Sequence, residues 1–203
     1  MLRILLFLKK PQAGLVKTRL AHSIGPDAAL RTYRQLVRTQ LEHLPGGAKL
    51  EVHYTPAEAE ADMRAWLGED RIYRPQAEGG LGNKLECAVK DAFQRGAKQV
   101  VCIGGDCPYL HTAHFEHTAQ ALADGADVVF GPSMDGGYYL VGLQQARPEL
   151  FRNIPWSSSG TLAASLERAA DLGLRTVQLE RLEDVDDQDS LERAVRNGAL
   201  SPP

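Results

Sequence analysis

The chain has 203 residues, 43% hydrophobic and 24% charged, with a formal net charge of -3. That length supports one α/β domain with a core of its own and leaves too little for two comfortable ones, so residues 1–203 read as a single domain. The slight acidic balance argues against nucleic acid as a partner, and no apolar run approaches the roughly 20 residues that cross a bilayer. Cys87, Cys102 and Cys107 are odd in number and form no C-x-x-C pair. They therefore suggest neither a disulfide framework nor structural zinc, and a reducing cytoplasm fits.

Taken in chain order, residues 2–8 (LRILLFL) form an apolar run that predicts a buried first strand and not a signal peptide. A polar loop with Pro11 and Gly14 follows, and Gly25-Pro26-Asp27 opens a helix, since proline is tolerated in a first turn. Leu30, Tyr33, Val37, Leu41 and Leu44 share one face of that helix, which Pro45-Gly46-Gly47 ends. Residues 49–55 predict a second strand, 57–67 a short helix, and 71–73 a weak third strand. Leu85, Val89, Ala92 and Phe93 mark another helix. Residues 99–103 (QVVCI) predict a strong buried strand and 112–123 a helix. Residues 126–130 and 138–143 are strand-like and flank a Gly-rich turn. Ser158-Ser159 is placed to cap a helix running to about Leu172, a strand spans 174–179, and a last helix begins near 189. Such βαβα alternation predicts a mostly parallel sheet with helices on both faces.

Ligands of open α/β sheets bind at the carboxyl ends of the strands, and three unusual segments fall there. Residues 9–20 (KKPQAGLVKTRL) place Lys9, Lys10, Lys17 and Arg19 in one loop. Several cations in such a loop suit a polyphosphate, with Arg19 able to grip oxygens bidentately and Lys17 acting as a point charge. The glycine spacing of a Walker A loop is absent. Residues 103–108 (IGGDCP) end a buried strand in two glycines and Asp106, a carboxylate placed to hold Mg²⁺ (or Mn²⁺) beside phosphates. The same position also suits a helix-capping Asp. Residues 131–142 (GPSMDGGYYLVG) hold Asp135, Gly136, Gly137 and Tyr138, which suit either a hairpin turn or a substrate pocket in which Asp135 binds hydroxyls or assists proton transfer.

Two further segments are weaker. Residues 78–85 (EGGLGNKL) lead into a helix whose N-terminus and Lys84 favour anions. Residues 182–191 (LEDVDDQDSL) are rich in acids, most of them expected to be solvated or to cap the last helix, with Asp186 the best candidate for a further metal ligand. His111, His114 and His117 lack metal-binding spacing and read as surface residues. Trp156-Ser157-Ser158-Ser159 reads as the start of a helix and not as a nucleophile, since no Gly-x-Ser-x-Gly elbow is present.

In their joint order, F-x-K-x-P-x-x-G-x-V-K-T-R-L at 7–20, I-G-G-D-C-P at 103–108, G-P-x-x-D-G-G-Y-Y-L-x-G at 131–142 and D-V-D at 184–186 resemble a bacterial family of glycosyltransferase-like proteins. That family (DUF2064-type) is related to the nucleotide-diphospho-sugar transferases of the GT-A fold. The resemblance implies a single three-layer, Rossmann-like domain with a mostly parallel mixed sheet. It implies that Lys17 and Arg19 sit on phosphate, that Asp106 and Asp186 hold metal, and that Gly80, Leu81 and Gly82 lie near the nucleoside. Gly80, Lys84 and Asp187-Gln188 depart from the family pattern.

The function so expected is a cytoplasmic, Mg²⁺-dependent transferase that takes an NTP or an NDP-sugar and passes the nucleotidyl or glycosyl group to a small acceptor. Lys17, Arg19 and Asp135 are its expected catalytic residues. Lys9, Lys17, Arg19, Gly80, Leu81, Gly82 and Lys84 would hold nucleotide, and Asp135, Gly136, Gly137 and Tyr138 the acceptor. A nucleotide-binding module without turnover is the other reading. Strand 138–143 offers a possible pairing edge for a homodimer.

Overall fold

The computed structural model describes residues 2–203. Its strands are β1 (Leu2–Lys9), β2 (Lys49–Thr55), β3 (Ile72–Pro75), β4 (Gln99–Ile103), β5 (Val128–Pro132), β6 (Tyr138–Leu143) and β7 (Thr176–Gln178). The helices are α1 (Thr18–Ile24), α2 (Pro26–Glu42), α3 (Glu60–Leu67), α4 (Leu81–Gln94), α5 (Thr112–Ala123), α6 (Thr161–Asp171) and α7 (Gln188–Arg196). Among the described residues the strands form one seven-stranded sheet in the order β3-β2-β1-β4-β6-β5-β7. All neighbours are parallel except β6, which runs antiparallel to both β4 and β5.

Strand periodicity explains the three layers. Successive side chains of a strand point to opposite faces. In β1, Ile4, Leu6 and Leu8 pack on one face with Tyr33 and Val37 of α2, Met63 of α3 and Phe115 of α5. Leu5 and Phe7 pack on the other with Leu85, Val89 and Ala92 of α4 and Leu162 and Ala169 of α6. Because both faces are covered, Ile4–Leu8 of β1 and Val100–Ile103 of β4 are unbroken apolar runs, as expected for buried parallel strands. A smaller cluster, with Leu20, Leu36, Val185 and Leu191, ties α1, α2 and the last loop to α7. No helix among the described residues is long and apolar enough to cross a membrane.

The predicted elements at 49–55, 99–103, 112–123 and 138–143 stand where expected, and several others shift. The loop 9–20 is not all loop, because α1 begins at Thr18. The segment 57–67 is a 3₁₀ turn, Ala57–Ala59, followed by α3. Helix α6 starts at Thr161 with Gly160 as its N-cap, so Ser158 and Ser159 precede the cap position. Strand β6 is no pairing edge: it lies between β4 and β5, hydrogen-bonded to both. Gly142 permits this interior packing, since a Cβ there would stand 2.4 Å from Thr118 Cγ2. His114 is not a surface residue. It is 7% exposed, takes the His111 N–H on Nδ1 at 3.0 Å, and places Nε2 3.1 Å from Glu180.

Candidate functional site

The carboxyl ends of β1, β4 and β5 open on the same edge of the sheet, where the antiparallel β6 begins. After β1 the chain turns at Gly14 and reaches Lys17, whose backbone is left-handed (φ 47°) and caps α1. A non-glycine residue in that conformation costs of order 1 kcal/mol, so the surrounding structure must hold it there. The Lys17 carbonyl accepts the Ala21 N–H at 2.8 Å, and its side chain is held by charge. Its Nζ lies 2.6 Å from Asp106 Oδ1 and 3.2 Å from Asp186 Oδ1, and the side chain is only 5% exposed. Burial alone would lower the ammonium's pKa, but the two carboxylates outweigh it and leave the group above its ordinary value.

Asp106 is positioned by the end of β4. Gly105 lets this end pack closely, because a Cβ would stand 2.7 Å from Leu8 Cδ2 and 3.0 Å from Val37 Cγ2. The Asp106 carbonyl accepts the Val185 N–H at 3.0 Å, which fastens the last loop beside β4. In that loop Val185 is fully buried, while Asp184 and Asp186 on either side of it line a cavity. Burial thus alternates along the pattern D-V-D, with the valine enclosed and the two acids only partly so. Asp184 accepts a 2.8 Å hydrogen bond from Ser133 Oγ. Burial and then the charge of Asp106 push its pKa up to about 7, against the lowering effect of that bond. Arg19 also lines the cavity, with a side chain 78% exposed and 3.9 Å from Asp186.

The cavity holds about 500 Å³. Its lining includes a charged group (Arg19, Asp106, Asp135, Asp184, Asp186) and an apolar one (Phe7, Leu81, Leu85, Tyr138, Val141, Trp156). Tyr138 packs between Phe130 and Trp156, with ring centroids at 5.2 and 6.1 Å. The β5–β6 turn supplies Asp135 and Gly137 to the lining, and the Gly137 N–H donates to Asp135 Oδ1 at 2.8 Å. Thus the Asp-Gly-Gly segment is a hairpin turn and also part of the cavity wall. Gly136 has φ 89° and accepts the Leu162 N–H at 2.9 Å through its carbonyl; a Cβ on it would stand 2.1 Å from Ser159 O. Only glycine can sit here, and it docks the turn on the segment 157–160.

Of the residues expected from sequence, Arg19, Leu81, Asp106, Asp135, Gly137, Tyr138 and Asp186 line this cavity. Lys17 stands behind it, between Asp106 and Asp186. Lys9, Gly80, Lys84 and Gly136 are not among the lining residues. Gly82 serves packing: a Cβ there would lie 2.6 Å from both Phe151 O and Trp156 Nε1. Cys107 is buried, and burial followed by the charge of Asp184 drives its thiol pKa up, so it is unsuited to nucleophilic attack. Sequence reasoning missed Asp184, Phe7, Trp156 and Ser157–Ser159 as lining residues. For Asp184 the alternation D-V-D was the available signal. For the serines there was none, since the left-handed Ser157 (φ 60°) is invisible in the sequence.

Clustered carboxylates such as Asp106 and Asp186 suit a hard divalent cation. The Lys17 ammonium acts as a stand-in: one cation already reaches an oxygen of both Asp106 and Asp186, so this pair fits a single hard cation. Among the described residues no group of three or more His, Cys, Asp or Glu side chains is arranged to hold a metal. Other ligands would have to come from substrate or water.

Residues 40–158, more than half of the chain, match the family described as "Uncharacterized protein conserved in bacteria (DUF2064)". A crystal structure from Desulfovibrio desulfuricans G20, of a protein assigned to the nucleotide-diphospho-sugar transferases, is 32% identical with a TM-score of 0.92, over 98% of this chain and 88% of that one. The CMP:2-keto-3-deoxy-manno-octonic acid synthetase complexed with CTP is 14% identical with a TM-score of 0.60, over 98% of each chain. The Mycobacterium tuberculosis glucosyl-3-phosphoglycerate synthase, in complex with Mn²⁺, UDP and glucosyl-3-phosphoglycerate, is 13% identical with a TM-score of 0.56, over 100% of this chain and 81% of that one. No match was found among curated proteins. The chain belongs to the bacterial DUF2064 family and has the nucleotide-diphospho-sugar transferase fold.

Proposed function

We propose that this family member is a transferase that binds an NTP or an NDP-sugar together with Mg²⁺ or Mn²⁺ and passes the nucleotidyl or glycosyl group to a small acceptor. The observation that carries this reading is the meeting of Lys17, Asp106 and Asp186 at the carboxyl ends of the strands, beside a cavity with an exposed guanidinium. Fold neighbours hold CTP in one case and Mn²⁺ with UDP in another, which supports nucleotide and divalent metal as ligand classes.

In this reading Asp106 and Asp186 hold the metal. Bound there, a divalent cation would supply positive charge to offset that of the substrate phosphates. Arg19 offers a fork of N–H donors to the same phosphates, and it does so without first breaking a close ion pair. Tyr138 and Trp156 give the acceptor an apolar wall. Asp135 orients acceptor hydroxyls, since the Gly137 N–H occupies only one of its carboxylate oxygens. Little covalent chemistry is asked of the protein: the site binds, orients and neutralises.

The test is a thermal-shift panel of NTPs and NDP-sugars, with and without Mg²⁺, on the wild type and on Asp106→Ala. At least one nucleotide should stabilise the wild type in Mg²⁺ and lose that effect in the variant. A wild type that responds to no nucleotide sinks the proposal. Product analysis then separates the two chemistries: pyrophosphate released from an NTP means nucleotidyl transfer, and nucleoside diphosphate released from an NDP-sugar means glycosyl transfer. Binding with neither product marks a module without turnover.

A further inference from the structure

The two cations of the Lys-Thr-Arg segment are treated differently by the fold. The Arg19 side chain is 78% exposed and only loosely associated with Asp186, whereas Lys17 is 5% exposed and in contact with two carboxylates. A lysine whose sole task was to meet incoming phosphate would cost less if left in water, because burial strips hydration from its ammonium and freezes its rotamers. Lys17 meets those costs by pairing with Asp106 and Asp186, the same two side chains that the proposed function assigns to the metal.

We infer that Lys17 is a resident counter-cation that occupies the Asp106–Asp186 pair until nucleotide arrives, so that this chain takes up a divalent cation only together with a polyphosphate. The inference rests on the nucleotide-transfer reading of the site. Two carboxylates and one ammonium sum to a single negative charge. A divalent ion arriving alone has to share both carboxylates with Lys17 or displace it, and either outcome leaves a buried ammonium beside a dication. That like-charge contact disfavours binding. A nucleotide changes the balance, since its phosphates give the displaced ammonium a new anionic partner as the metal takes the carboxylates. Metal and nucleotide thus bind with positive coupling, and the coupling is reciprocal. Free divalent cation therefore loads the site more weakly in the absence of substrate than in its presence.

The experiment is a Mn²⁺ titration followed by electron paramagnetic resonance, without nucleotide, on the wild type, Lys17→Met, Lys17→Arg and the double variant Lys17→Met/Asp186→Asn. Lys17→Met should bind one Mn²⁺ at least tenfold more tightly than the wild type. Lys17→Arg should resemble the wild type, and the double variant should lose the gain. Should Lys17→Met be unfolded without metal, Mn²⁺ should restore its melting transition where NaCl of equal ionic strength does not. The inference is overturned if the wild type binds Mn²⁺ as tightly as folded Lys17→Met, or if Mn²⁺ fails to restore an unfolded variant. A wild type that no NTP or NDP-sugar stabilises in Mg²⁺ overturns the nucleotide reading instead, whatever Mn²⁺ does to the variants.

Discussion

The ammonium of Lys17 and the carboxylate of Asp106 form a 2.6 Å ion pair that joins the first βα loop to the end of the central strand β4. A change at Asp106 therefore removes both a proposed metal ligand and a partner of a buried cation. Asp106→Asn should cost about 1–2 kcal/mol of folding stability, because a cation that is nearly sequestered loses its shorter ion pair while Asp186 remains. It should also abolish any Mg²⁺-dependent stabilisation by nucleotide. Urea denaturation and thermal shift on the same samples measure the two effects. A variant as stable as the wild type and as responsive to Mg²⁺-nucleotide would show that this pair does neither job.

The two glycines at the start of α4 make opposite predictions, although both were expected near the nucleoside. A Cβ on Gly80 meets nothing within 4 Å among the described residues, and its backbone (φ -75°) suits any residue. Gly80→Ala should change stability by less than about 1 kcal/mol, the scale of an altered N-cap. A Cβ on Gly82 lies 2.6 Å from a backbone carbonyl, Phe151 O, and from the Trp156 ring nitrogen. Alanine gains about 1 kcal/mol of helix propensity there, but overpacking costs 1–3 kcal/mol, and a carbonyl cannot swing aside as a flexible side chain can. Gly82→Ala should thus be the less stable of the two and should weaken nucleotide or acceptor binding by displacing Trp156 from the cavity wall. Melting temperatures of the two variants, compared side by side, decide this.

What was legible in the sequence follows from which forces are local. β2, β4 and α5 were readable because apolar runs or periodic faces are bounded by prolines, glycines or polar residues close by. α1 was hidden because it buries only Leu20 and begins at a left-handed lysine, and neither feature marks periodicity. The interior place of β6 depends on β4 and on the close approach of Thr118 to Gly142, both long-range relations. His114 looked like one of three surface histidines, yet its ring is buried and closes a hydrogen-bonded cap at the start of α5. At the site, residue types and their order revealed the cations and the carboxylates. They could not reveal that Lys17 faces Asp106 and Asp186 rather than open solvent, because that pairing is made by the fold.

Near the amino end of β2, away from the site, Glu51 is fully buried and accepts from three arginines: Arg3 at 2.8 Å, Arg95 at 2.7 Å and Arg74 at 3.0 Å. Burial would raise its pKa, but His53 at 3.6 Å and the guanidiniums of Arg95, Arg3 and Arg74 outweigh it and hold the carboxyl at about 2. An unfolded glutamate titrates near ~4.3, so the folded state binds this proton more weakly than the unfolded one. The stabilisation is therefore present above pH ~4.3 and is lost as pH falls from there toward 2, with a full size of about 3 kcal/mol. Glu51→Gln should be less stable than the wild type by about that amount at pH 7, and the gap should narrow by about 2 kcal/mol at pH 3. Urea midpoints at the two pH values supply the comparison. A gap independent of pH would mean that packing, and not charge, explains the loss.

Arg19 separates binding chemistry from folding more cleanly than any other residue of the site. Its side chain is 78% exposed and its nearest acid, Asp186, stands 3.9 Å away, so the folded state gains little from it. Arg19→Ala should leave folding stability within about 0.5 kcal/mol of the wild type. If the guanidinium meets phosphate as proposed, the same change removes a positive charge from the transition state, and the rate should fall by about tenfold or more, up to the ~10²–10³-fold of a fully preorganised donor. Arg19→Lys keeps the charge but loses the bidentate fork, so it should recover part of the activity and not all of it. Steady-state kinetics on whichever donor the thermal-shift panel identifies provide the measurement. A rate unchanged in Arg19→Ala would place the phosphates elsewhere in the cavity and leave Lys17 as the only cation of the Lys-Thr-Arg segment that could serve them.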